Sequence, residues 1–174
     1  TEAIAANLAS LIPDGATLQV GLGKVPAALS RLLRNHRGLR LHSGMLSDGL
    51  IDLADAGALD PDFPHTTCVL IGSETLYRRL PELDRPRVVG CEITHDLATL
   101  MSTRGLVAVN SALEVDLCGQ CNLEHANGRA VSGCGGAPDF ARGARMAPGG
   151  LSVVALNAVF GSKGKAASRI LPAL

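Results

Sequence analysis

The sequence predicts an α/β domain built on a mostly parallel sheet with helices on both faces. Short apolar runs of four to six residues alternate with longer stretches of helical periodicity along the whole chain. Strand-helix alternation with short, largely apolar strands implies a mostly parallel sheet covered on both faces. Nearly every run also ends in a turn of small or polar residues.

The elements follow in order. Residues 2–12 set Ile4, Leu8 and Leu11 on one helical face, and Pro13-Asp14-Gly15 ends that helix. Thr17–Val20 reads as a buried strand closed by Gly21-Leu22-Gly23, and Pro26 opens a helix through Leu33. Leu39–His42 is the next strand, followed by a turn at Ser43-Gly44-Met45 and a helix around Leu50–Ala56. Thr67–Ile71 is a third strand, turning at Gly72-Ser73 into a helix near Glu74–Leu80. Val88–Ile93 reads as a fourth strand, and Thr94-His95-Asp96 leads into a helix ending at Ser102. Leu106–Asn110 and Ala112–Leu117 are strand-like, Ala130–Ser132 enters a glycine loop, and Ser152–Leu156 is the last strand. Right-handed crossovers place every strand-to-helix turn on one side of such a sheet, where ligands bind at the carboxyl ends of the strands. The turns at 21–23, 42–45, 72–74, 94–96 and 133–136 are therefore expected to converge on one rim.

With 174 residues, 47% of them apolar, the chain is expected to be one domain, residues 1–174, with a real core. Sixteen basic residues balance sixteen acidic ones, and aromatics are nearly absent, which argues against a nucleic-acid partner. No apolar run reaches the roughly 18 residues of a membrane span, and no basic region followed by an apolar stretch marks a signal peptide. The five cysteines are odd in number and read as buried free thiols in a reducing cytoplasm. Cys118-Gly119-Gln120-Cys121 has the C-x-x-C spacing but lacks the second pair that zinc would want, so no metal is expected.

The most informative segment is Val131-Ser132-Gly133-Cys134-Gly135-Gly136-Ala137-Pro138-Asp139-Phe140. Three glycines in four positions oppose a helix, each costing about 1 kcal/mol relative to alanine. They suit a loop whose bare amides approach a ligand closely.

Several segments together resemble the acetyl-CoA hydrolase/transferase family, the group of acetate, succinate and 4-hydroxybutyrate CoA-transferases. They are Val20–Pro26, His42-Ser43-Gly44-Met45-Leu46-Ser47-Asp48-Gly49, Val109–Leu117, Gly133–Phe140 and Ser168-Arg169-Ile170-Leu171-Pro172. The resemblance runs through nearly the whole chain but covers only the C-terminal catalytic domain of the family. It implies a fold of the NagB/RpiA/CoA-transferase type, truncated at both ends relative to the family. It also implies coenzyme A or an acyl-CoA as substrate. A separate N-terminal-half chain or a second copy of this one is the implied partner, since the relatives' site lies between two domains.

In the family a glutamate attacks the acyl-CoA thioester and passes through an anhydride to a glutamyl-CoA thioester. Backbone amides from two glycine loops stabilise the oxyanions, each donor worth about 2.7–4 kcal/mol. Gly21, Leu22 and Gly23 match one loop, and Gly133, Cys134, Gly135 and Gly136 the other. The glutamate belongs where this chain has Gly44, and Gly44 carries no nucleophile. A second departure is His95, where relatives usually carry asparagine. An imidazole there is a candidate general base on water or an alcohol. Ser43 has a hydroxyl beside the vacant position, Glu74 is a carboxylate at the third strand's end, and Cys134 is a nucleophile if His95 approaches it. Lys163 is a candidate for a CoA phosphate. Glu114 and Asp116 match family positions and are expected to organise the sheet edge. Three readings follow: acyl-thioester chemistry rewired to hydrolysis or altered transfer, a non-catalytic CoA-binding subunit, or an ordinary CoA-transferase with Gly44 an engineered replacement.

Overall fold

The computed structural model describes residues 1–83, 86–126, 128–161 and 166–174. Lys163 lies outside the described residues.

Helix α1 (Glu2–Ala9) precedes β1 (Thr17–Val20), and α2 (Lys24–Leu32) leads to β2 (Arg40–Leu46). Helix α3 (Gly49–Asp55), β3 (Thr66–Leu70), α4 (Glu74–Arg79) and β4 (Arg87–Val88) follow. Two short helices, α5 (Cys91–Thr94) and α6 (Leu97–Ser102), then lead to β5 (Leu106–Ser111). Four short strands come next: β6 (Glu114–Asp116), β7 (Cys121–Asn122), β8 (His125–Ala126) and β9 (Arg129–Ala130). Helix α7 (Ala137–Met146) returns to the sheet as β10 (Leu151–Ala155). The chain closes with β11 (Val159–Phe160), β12 (Ala167–Ser168) and β13 (Ile170–Leu171).

Six strands form one parallel sheet in the order β10-β5-β1-β2-β3-β4. Strand β5 shows how both faces are covered. Val107 and Val109 enter a large core with Leu18, Leu29, Leu41 and Leu50, whereas Leu106 and Ala108 enter a second core with Leu100, Phe140 and Ala144. That is the period of two expected of a strand buried on both sides. Helices α1 to α4 supply the first core and α6 and α7 the second. Gly143 lets α7 approach α6, because a Cβ there would overlap the Cβ of Leu100.

The structure departs from the sequence expectation at residues 88–93, at Ser43-Gly44-Met45 and in the exposure of the cysteines. Residues 88–93 are not a strand: β4 is a two-residue edge strand, and Gly90, in extended backbone, starts the helix Cys91–Thr94. Ser43-Gly44-Met45 is not a turn but the continuation of β2, held by its register against β3 and by Ser43 Oγ donating to Val20 O at 3.0 Å. The C-x-x-C pair lies at the β6–β7 hairpin, where Asp116 Oδ1 accepts the amides of Cys118 and Gln120 at 2.9 and 2.8 Å. The cysteines are free but not buried: Cys91, Cys118, Cys121 and Cys134 are exposed and Cys68 is half-buried. Cys91 starts a helix, Cys118 and Cys121 lie at a hairpin turn, Cys134 lies in the glycine loop, and Cys68 sits in the middle of β3.

Among the described residues no helix is long and apolar enough to cross a membrane.

Candidate functional site

Strand register brings the site together. Gln19 lies opposite Ala108 and Gly44 lies between the paired positions Ser43↔Thr67 and Met45↔Val69, which sets it beside Cys68. At the carboxyl ends of β1, β2, β3 and β5, Gln19, Gly44, Met45, Cys68, Val69 and Asn110 line a cavity of about 380 Å³, together with Gly21, Leu22, His95, Cys134, Gly136 and Phe140. The two glycine turns therefore meet, although 112 residues separate Leu22 from Cys134 in the chain. Gly23, at φ 120°, starts α2, and Gly135, at φ 52°, precedes the start of α7. Both angles belong to the left-handed region that glycine tolerates best. The second turn thus brings the amino end of α7, Gly136 and Ala137, to the cavity wall.

His95 follows the last residue of α5 and is half-buried. Its Nδ1 lies 2.8 Å from Oγ1 of the fully buried Thr94. The ring stands edge-on to Phe140, with centroids 4.9 Å apart, and rests against the backbones of Gly44 and Gly136. Thr94 is itself fixed, because His42 Nε2 donates to its carbonyl at 3.0 Å. One buried threonine thus anchors two imidazoles, and only His95 of the pair reaches the cavity.

Among the described residues the lining holds no Asp, Glu, Lys or Arg, so none of them offers a carboxylate nucleophile in the cavity. Cys68 Sγ donates to Gly44 O at 3.0 Å, which occupies that thiol on the strand backbone. Gln19 Nε2 reaches Asn110 Oδ1 at 3.5 Å, leaving Gln19 Oε1 and Asn110 Nδ2 buried without partners among the described residues. This polar floor, with Cys68 and the Phe140 ring, is the part of the site that reading the sequence missed. A glutamine in the middle of an apolar strand was the available signal, since a buried amide ordinarily needs partners.

Other expected site residues fall elsewhere. Ser43 is fully buried, and its hydroxyl is spent on Val20 O. Glu74 is exposed on α4, where it pairs with Arg78 one turn on. Its turn is drawn away from the cavity because the Ser73 amide and hydroxyl both donate to the Asp48 carboxylate, at 3.1 and 2.7 Å. The segment 72–74 therefore does not line the cavity. Gly23, Gly133 and Gly135 shape the two turns but do not line the cavity; Gly21, Leu22, Cys134 and Gly136 do. Asp116 organises the hairpin: burial opposes its charge, yet the N–H donors from Gln120, Leu174 and Cys118 prevail and hold its carboxyl below the ordinary range. Glu114 accepts from Asn122 Nδ2 at 2.8 Å. Among the described residues no group of three or more His, Cys, Asp or Glu is placed to hold a metal ion.

Burial lowers the pKa of His42, against the Thr94 carbonyl bond and with a smaller push from the neighbouring His95. Burial likewise lowers that of His65, against its bond to the Asp60 carbonyl and the Asp60 charge. Both folded values lie below the ordinary 6.5. Their contribution to stability is therefore complete above that value and drains away as pH falls through it toward the folded values, where the unfolded chain binds more protons. Melting temperature is expected to drop between pH 7.5 and 5, and His65→Asn, remote from the cavity, to flatten the decline. A melting temperature independent of pH over that range would contradict the assignment.

The comparisons with known proteins converge. The acetyl-CoA hydrolase/transferase C-terminal domain matches residues 72–174. The 4-hydroxybutyrate coenzyme A transferase of Clostridium kluyveri is 37% identical over 99% of this chain and 41% of its own length. The butyryl-CoA:acetate CoA-transferase of Anaerostipes caccae is 33% identical, again over 99% of this chain and 41% of its own. Among solved structures, the 4-hydroxybutyrate CoA-transferase from Porphyromonas gingivalis superposes with a TM-score of 0.82 at 30% identity, covering 99% of this chain and 42% of that one. RipA from Yersinia pestis gives a TM-score of 0.82 at 30% identity over 98% of this chain and 38% of that one. The chain spans about two fifths of the length of the curated relatives it matches. A domain match over more than half of the residues, with like folds and like sequences beside it, makes this chain a member of the acetyl-CoA hydrolase/transferase family.

Proposed function

We propose that this chain processes acyl-CoA thioesters in the cavity at the carboxyl rim of its sheet, with His95 rather than a carboxylate as the reactive group. One observation carries the reading: among the described residues, the only imidazole lining the cavity shares it with residues of both glycine turns and with no carboxylate. With Nδ1–H donated to Thr94 Oγ1, the Nε2 lone pair is free to take a proton.

The step runs as follows. His95 Nε2 removes a proton from water or an alcohol, whose oxygen bonds to the thioester carbon as the carbonyl electrons move onto oxygen. Amides of the turns at 21–23 and 135–136 receive that oxyanion. Its collapse breaks the carbon–sulfur bond, and the imidazolium returns the proton to the CoA thiolate. No glutamyl thioester forms, because Gly44 has no side chain. Cys134 lines the same cavity and is the alternative nucleophile.

Exposed Leu22 and Val69 at the cavity mouth support a covering surface supplied by an N-terminal half or a second copy of the chain. The test is a panel of short-chain acyl-CoAs, with free CoA release measured alongside CoA binding by thermal shift. Release with Cys134→Ala unimpaired fits the histidine route. Loss with Cys134→Ala moves the nucleophile to the thiol. Binding without release under all acyl chains overturns the catalytic reading in favour of a CoA-binding subunit.

A further inference from the structure

Position 44 and the His95 ring contend for one volume. A Cβ on Gly44 would stand 2.9 Å from both Cε1 and Nε2 of His95, closer than real Cβ contacts come. A Cβ on Gly136 would overlap Nε2 and Cδ2 of the same ring. Phe140 backs the arrangement. It is 1% exposed, so the ring has no room to retreat in that direction.

Backbone geometry does not call for glycine at either position. Gly136 sits at φ −85°, ψ 1°, and Gly44 lies within β2, outside the left-handed region. Both angles are open to any residue. The ring, not the chain, requires the missing side chains.

We infer that Gly44 and Gly136 are positioning residues whose absent side chains form a slot for the His95 imidazole, so that a side chain at position 44 and an imidazole in the cavity exclude one another. The inference deepens the reading of His95 as the base, but its evidence is packing and it is tested by packing. It also has a chemical consequence. A carboxylate placed at position 44 evicts His95, so covalent carboxylate chemistry and imidazole chemistry are alternatives within one frame. Gly44→Glu alone is expected to yield a site with neither arrangement intact. Gly44→Glu combined with His95→Asn removes the conflict.

The experiment is a double-mutant cycle on the native protein with Gly44→Ala, His95→Ala and the pair. Imidazole resonances of ¹⁵N-histidine-labelled protein, melting temperature and acyl-CoA turnover are read for each. His95→Ala identifies the His95 resonances. Gly44→Ala is expected to abolish the hydrogen-bonded Nδ1 signature of His95 and to lower the melting temperature. In the His95→Ala background the same change is expected to cost nothing, since the remaining neighbour, Phe140 Cε2, lies at 3.4 Å, an ordinary contact. Gly44→Ala that fails to fold alone but folds with His95→Ala supports the slot equally. An unchanged His95 signature in Gly44→Ala, or a stability cost that persists undiminished without the imidazole, overturns it. If the native protein turns over no acyl-CoA, the resonances and melting curves still decide the slot, and only the base reading falls.

Discussion

His95→Ala is expected to lower acyl-CoA turnover by about 10²–10⁴-fold, the span that removing a positioned general base ordinarily costs. The loss should fall on kcat and leave CoA binding nearly unchanged, because the proposed proton transfer takes place in the chemical step. Tautomer is the more discriminating point. Thr94 Oγ1 lies 2.8 Å from Nδ1, and Thr94 is itself held through its carbonyl by His42. Thr94→Val keeps the shape and removes the hydroxyl, so the proton loses its assigned nitrogen while the ring stays in the slot. That variant should retain the fold and lose part of the turnover, with KM little changed. Full activity in Thr94→Val together with full activity in His95→Ala would remove the imidazole from the chemistry.

Much of this was legible in the sequence, for reasons that are local. The alternation of apolar strands with amphipathic helices is a short-range property, and β1, β3, β5 and β10 fall close to where it puts them. The convergence of the turns at 21–23 and 133–136 follows from parallel topology, which places all such turns on one rim. What failed was decided at longer range. Ser43-Gly44-Met45 has turn composition, yet pairing with β3 and the Ser43 hydroxyl on Val20 O keep it in the sheet. Val88–Ile93 has the β-branched content of a strand, but at the sheet edge only two residues pair before Gly90 starts a helix. Glu74 stays outside the cavity, where the Ser73 beside it is held by Asp48, a carboxylate 25 positions before that serine. The slot for His95 was illegible altogether. Gly44 and Gly136 are visible as two glycines, but nothing in one dimension says that they face the same ring.

Phe140→Ala is expected to be the most damaging core substitution, costing about 3–5 kcal/mol. Native domains are stable by only about 5–15 kcal/mol, so this change alone removes a large part of the margin. The reason lies in its surroundings. Phe140 is the sole aromatic in a core whose other members are Leu100, Leu106, Ala108, Ala144 and Ala147. Alanine side chains have no atoms to swing into the space a missing ring leaves, and Gly143 already brings α7 against Leu100 with nothing to spare. The cavity would therefore stay open rather than collapse. Phe140 also backs the His95 ring at 4.9 Å and lies 6.4 Å from His42. Phe140→Leu separates the two roles, because it keeps most of the apolar volume and removes the ring that the imidazole packs against. Urea unfolding should show a smaller loss for the leucine variant than for alanine at unchanged m-value, while turnover falls in both. If the leucine variant keeps both stability and turnover, the ring fills volume only, and the slot is defined by the two glycines without it.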